Sequence, residues 1–228
     1  MAAPEACEAA PEFAQPDVAL PHLQAALTSG GIVHVLAVGS GTTVGEVNGT
    51  PGTSFPYKMV DALQAARPGV VIDLTVRGGR NMTAETMLGL LKGELAGQHY
   101  PLVLWQTGTV EAVRGLRPDA MQAVLQDGID AVQAAGGDLV LVDSQFSRFL
   151  RANTDLDPYQ SVMQQVARMP GVALFHRFDL MREWASDGRI DLERVRKSDR
   201  EKAVELLNTC LGEVLGHFLL AGAEQAAH

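Results

Sequence analysis

Residues 35–45, VLAVGSGTTVG, are an apolar run ending in a glycine-rich turn that carries the hydroxyls of Ser40, Thr42 and Thr43. A hydroxyl in such a turn becomes a nucleophile when a base takes its proton and preorganised N–H donors face the developing oxyanion. Without those helpers the same turn does another job, cradling an anion on its backbone amides. Four further turns follow apolar runs: RGGRNMT (77–83), QTGTVEAVRG (106–115), DSQFSRF (143–149) and HRFDLMREW (176–184). They supply the other chemically capable side chains. GGRN (78–81) has the look of an anion-binding nest with Arg77 and Arg80 beside it, and His176 with Arg177 is a candidate pocket rim. Glu111 reads either as half of a carboxylate pair with Asp199 or as the cap of a helix N-terminus.

The elements that position these turns follow from periodicity. Apolar runs at 32–39, 70–76, 101–108, 138–143 and 172–176 read as buried strands. Helical spacing lies between them, in 56–69, 82–95, 119–137 and 159–171, with a short helix near 20–31 and a packed terminal helix over 199–223. Five rounds of strand and helix predict a parallel sheet covered on both faces, with ligands at the carboxyl ends of the strands. Residues 1–30, rich in Ala and Pro, are expected as an arm packing on a single domain over 31–228.

Composition narrows the partners. The net charge of −9 argues against nucleic acid, and the basic run at 189–202 is interleaved with acids like a solvated helical face. No run of about eighteen apolar residues is present, so membrane insertion is not expected. Residues 1–17 lack the features of a signal peptide. The histidines at 22, 34, 99, 176, 217 and 228 show no metal-ligand spacing, so neither a metal nor another cofactor is expected. His34, inside a strand, reads as a core or second-face residue, and Trp105 and Trp184 as core anchors. Cys7 and Cys210 are either two independent small residues or one disulfide tying the arm to the last helix, the latter implying an oxidising compartment.

Taken together, AVGSGTT, VRGGRNMTAETML, VLWQTGTVEAVRG and ALFHRFDLMREW resemble the blocks of the SGNH or GDSL-type esterases and acylhydrolases, over nearly the whole chain. LVLWQTGT and LFHRFDLMREW are the specific stretches. The resemblance implies a flavodoxin-like three-layer α/β/α sandwich with a five-stranded parallel sheet. It also implies a serine nucleophile, a histidine base oriented by an aspartate three residues earlier, and an oxyanion held by backbone amides and an asparagine side chain.

Carried onto this chain, the nucleophile position falls on Gly41 and the second-block glycine on Asn81 or, one place earlier, Arg80. The asparagine position falls on Val110, and the aspartate and histidine positions fall on Asp199 and Lys202. The resemblance therefore implies a fold without its catalytic residues. The expected role is binding of a glycan, an acyl-bearing small molecule or a protein partner, with Ser40, Thr42, Arg80, Asn81, Glu111 and His176 as candidate ligand contacts. The alternative is an active esterase or deacetylase in which Ser40 is served by Lys202. The family's exported substrates imply a periplasmic or secreted site.

Overall fold

The structure, a computed structural model, describes residues 5–45 and 52–227. The second half of the first glycine-rich turn (46–51) and His228 lie outside the described residues. Five strands, β1 (Gly31–Ser40), β2 (Val70–Gly79), β3 (Leu102–Gln106), β4 (Asp138–Val142) and β5 (Val172–Phe175), form one parallel sheet in the order β2-β1-β3-β4-β5. That is the order of a flavodoxin-like sheet, the fold that the resemblance implied.

The sheet is covered on both faces because successive side chains of a strand point opposite ways. On β1, Val33, Val35 and Ala37 enter a core with α1 (Pro21–Ser29), α3 (Phe55–Ala66) and α10 (Arg200–Gln225). Leu36 and Val38 enter a second core with α4 (Ala84–Gly97), α6 (Pro118–Ala134) and α8 (Asp157–Val166). Trp105 and Trp184 are fully buried, as expected of core anchors. Trp184 Nε1 donates to the Glu8 carbonyl at 2.7 Å, which joins the sheet domain to the arm.

The arm is further held by Leu20 N donating to Gly222 O at 2.8 Å and by Leu23 N donating to Asp138 Oδ2 at 2.9 Å. Burial raises the pKa of that carboxylate. Cys7 and Cys210 form a disulfide across a sequence separation of 203, so of the two readings the paired one holds.

Several expectations need correction. The segment 189–202 is not a helical face: residues 189–199 are mostly irregular, and regular helix begins at Arg200. Asp191 within it is buried and receives Arg148 at 2.6 Å, so alternating charge here is partly an internal clasp. HRFDLMREW is itself the helix α9 (Arg177–Ser186), because Phe178, Met181 and Trp184, together with Leu180 and Ala185, make a buried face. Of the two readings of His34, core or second-face, the core one fails. The residue stands half-exposed opposite Asp73 on β2, with 2.9 Å between Nδ1 and Oδ2. Finally, the stretch Lys197–Gln225 does meet the length and composition of a membrane-crossing helix, and 72% of its apolar window is buried inside the fold.

The carboxyl ends of β1 and β2 meet unusually closely. Gly39 pairs with Gly78, whose φ is +138°, and a Cβ built on Gly78 would lie 1.8 Å from the Gly39 carbonyl oxygen. Only glycine fits there. This contact fixes the edge of the cleft described next.

Candidate functional site

Gln106, the last residue of β3, organises the strand ends. Its Oε1 accepts from Ser40 N at 3.2 Å, Ser40 Oγ at 2.9 Å and Thr43 Oγ1 at 3.0 Å. Both donor residues and their acceptor are buried. The Ser40 hydroxyl is therefore spent on an amide oxygen, which is not basic enough to take its proton. Gly41 follows as the first residue of the short helix α2 (Gly41–Val44) and is buried. In the sequence Gln106 is marked only as the polar residue that closes the apolar run LVLW.

A cavity of about 240 Å³ opens above these residues. It brings together Ser40, Gly41, Thr42, Arg80, Asn81 and Val110, six positions singled out from the sequence and drawn from three separate turns. Asn81 sits in the left-handed region at φ 61°, which asparagine tolerates better than most residues. Arg114 and Val113 from α5 (Thr109–Arg114) and Leu150 from α7 (Arg148–Asn153) complete the wall.

Other candidates lie elsewhere. Glu111 is buried and faces away from the cavity: Oε1 accepts from Ala84 N at 2.5 Å, and Oε2 accepts from Gly108 N at 2.9 Å and Thr107 Oγ1 at 3.1 Å. It ties the start of α4 to the start of α5, so the capping role holds and the ligand contact does not. Nor does it pair with Asp199, which is exposed at the head of α10. Arg77 turns to Glu94, with Nε to Oε1 at 2.6 Å, and leaves the nest.

Lys202 is exposed. On α10, Arg200, Val204, Leu207 and Asn208 share the face turned inward to a neighbouring chamber. At about 100° per residue, position 202 points to the opposite side. The structure does not bring it to Ser40.

On the far side of β1 and β3, Asp143 follows β4 and His176 caps α9. Asp143 Oδ1 accepts from Phe178 N at 2.7 Å, and its Oδ2 lies 3.9 Å from His176 Nδ1. His176 lines neither this cavity nor the neighbouring chamber, so its expected ligand contact is replaced by a place beside Asp143. Arg177, beside it, is buried and donates from Nη1 to Thr42 Oγ1 at 3.3 Å.

Burial pushes the Asp143 carboxyl up from 3.8 to about 8, opposed by its bonds to the α9 backbone and by Arg177. Burial likewise draws Arg177 down to about 10, where it remains a cation at neutral pH. Because Asp143 binds its proton more tightly when folded, its contribution is full below pH 3.8, declines as pH rises, and is gone above about pH 8. The limiting slope is about 1.4 kcal/mol per pH unit. Asp143→Asn keeps an acceptor for Phe178 N and removes the titration. Urea unfolding at pH 5 and pH 8 should show the wild type losing more stability than the variant between the two. Equal losses would mean that Asp143 titrates normally.

Among the described residues, no group of three or more His, Cys, Asp or Glu side chains is placed to hold a metal ion.

Comparison with known proteins fits this geometry. TesA is 20% identical with a TM-score of 0.60, over 80% of this chain and 97% of that one. AlinE4, an SGNH-hydrolase family esterase, is 22% identical with a TM-score of 0.58, over 72% and 83%. A two-domain esterase (CEX) active on acetylated mannans, co-crystallised with mannopentaose, is 12% identical with a TM-score of 0.72, over 92% of this chain and 56% of that one. These likenesses establish the fold. No curated protein matches the chain in sequence. The model of the Non-GDSL lipase-like family matches residues 6–225. With that match and the sheet order 2-1-3-4-5, the chain belongs to the Non-GDSL lipase-like family and has the SGNH-type hydrolase fold.

Proposed function

We propose that this protein is a non-hydrolytic member of its family, a pseudoenzyme that binds a glycan or an acyl-bearing molecule in the cleft around Gly41. One observation carries the reading: the nucleophile position has no side chain, and the adjacent Ser40 Oγ is bonded to Gln106 Oε1 rather than to a base. The cleft supports binding because it combines the polar groups of Arg80, Asn81 and Thr42 with the apolar Val110 and Leu150. The mannan-active neighbour makes an oligosaccharide the first ligand to try.

A rearranged esterase would need Ser40 and Lys202 together, and the helical phase of α10 opposes that. A protein partner is the second reading, favoured by Val113 on the cleft wall and Phe149 beside it, 57% and 69% exposed. The disulfide supports a periplasmic or secreted location.

The deciding experiment is turnover of p-nitrophenyl acetate. We expect kcat below about 0.1 per second, against ~10 per second for a median enzyme. Faster turnover that Ser40→Ala abolishes would return the protein to the enzymes. A mannooligosaccharide should raise the melting temperature saturably, and Arg80→Ala should weaken the shift, because a ligand of the native state stabilises by mass action.

A further inference from the structure

Beside the cleft lies a larger chamber of about 320 Å³, walled by α9, the 190–193 segment and the head of α10, and sharing Thr42 and Gln145 with the cleft. None of the positions that match the family's catalytic residues lines it; from the resembling stretches it takes Thr42, Arg177 and Met181. Its size falls at the lower end of small-molecule sites.

We infer that this chamber is a binding site for a small organic carboxylate with an apolar body, received by the guanidinium of Arg177. That side chain is 3% exposed, yet it lines the chamber. Its Nε has no hydrogen-bond partner among the described residues. Its other contacts are weak: Nη1 reaches Thr42 Oγ1 at 3.3 Å, and its carbon centre stands 5.3 Å from the Phe55 ring centroid. A guanidinium presents five donors in a planar fork, and a buried donor left unmade is costly. The group that satisfies such a fork best is a carboxylate.

The chamber's own acids do not fill that role. Asp191 receives Arg148 Nη1 at 2.6 Å and Glu193 N at 3.1 Å, with Arg194 Nε at 3.5 Å. Glu193 receives Ser147 Oγ and Arg148 N, each at 2.8 Å, and Phe149 N at 3.0 Å. These two carboxylates clasp the wall to the loop after β4, and their charge is answered by Arg148 and Arg194. Arg200 adds a second cation at the lining, where it reaches the Leu192 carbonyl at 3.5 Å. Asp143 interacts with Arg177 through charge, while its Oδ1 accepts from Phe178 N at 2.7 Å. Met181, Ile190, Val204 and Leu207 give the wall an apolar side, beside the polar Gln145, Ser147 and Asn208. A charged head on Arg177 and a short hydrocarbon body against this wall would use both halves.

This inference does not require the loss of hydrolysis, and the two are read by separate measurements. The test is titration calorimetry of the full oxidised chain with hexanoate, hexan-1-ol and glucuronate. Saturable binding of hexanoate is expected, with hexanol and glucuronate each weaker by about tenfold or more, as the loss of a charge-assisted pair or of apolar contact requires. Arg177→Met should lower hexanoate affinity to that of hexanol. Since a buried arginine can matter for folding, Val204→Trp provides an independent variant: it fills the chamber from the half-exposed face of α10 and leaves Arg177 in place. It should abolish hexanoate binding. Absence of saturable heat with hexanoate, equal affinity for hexanol or glucuronate, or unchanged binding in Val204→Trp would each overturn the assignment.

Discussion

Reduction of the Cys7–Cys210 disulfide should lower the unfolding free energy by about 5 kcal/mol, the largest single loss expected for this protein. The bridge closes a loop across a sequence separation of 203, and the chain-entropy cost of that closure is removed from the unfolded state in the oxidised protein. The native contacts of the arm would remain on reduction, including Trp184 Nε1 to Glu8 O and Leu20 N to Gly222 O. The effect should therefore appear mainly through the denatured state. Urea titrations with and without reductant measure it, and the slope of the transition should steepen as the reduced chain unfolds to a larger surface. A loss under about 1 kcal/mol would mean that the unfolded chain is already compact around the two cysteines. Cys7→Ala with Cys210→Ala should reproduce the reduced protein without any reductant.

Glu111→Ala should cost about 4 kcal/mol and is the second large effect. The side chain is 2% exposed and accepts from Ala84 N, Gly108 N and Thr107 Oγ1. Alanine leaves all three donors buried without partners, at about 1–3 kcal/mol each before relaxation. Glu111→Gln retains one acceptor oxygen but turns an amide N–H₂ toward a donor, so it should fall between wild type and alanine. Urea midpoints at a shared slope give the values. If alanine were tolerated within about 1 kcal/mol, water would have to reach these helix starts and replace the carboxylate. The expected damage includes the cleft, since α5 carries Val110, Val113 and Arg114 into its wall.

The fold was legible because strands buried on both faces read as short apolar runs, and all five appear within a few residues of their predicted places. The site was legible only as far as backbone position determines it. Ser40, Gly41, Thr42, Arg80, Asn81 and Val110 converge because each lies in a turn after a parallel strand. Side-chain direction is another matter. Glu111 and Arg77 occupy the right turns and point elsewhere, toward partners far along the chain, Ala84 and Glu94. Gln106 and Arg177 gain their roles from contacts with Ser40 and Thr42, more than 60 residues away. In 189–199, alternating charge imitates a helix surface because local patterning does not record that Asp191 is buried.

The N-terminal reach of α10 also bears on evolutionary reversibility. Point substitutions could return a hydroxyl with Gly41→Ser and an amide with Val110→Asn. Lys202→His, however, would present an imidazole on the outer side of a helix whose inner side is committed to Val204, Leu207 and Asn208. Regaining a base there requires the first turn of α10 to unwind into a loop. A histidine base at position 202 would therefore need a change of backbone as well as of side chain.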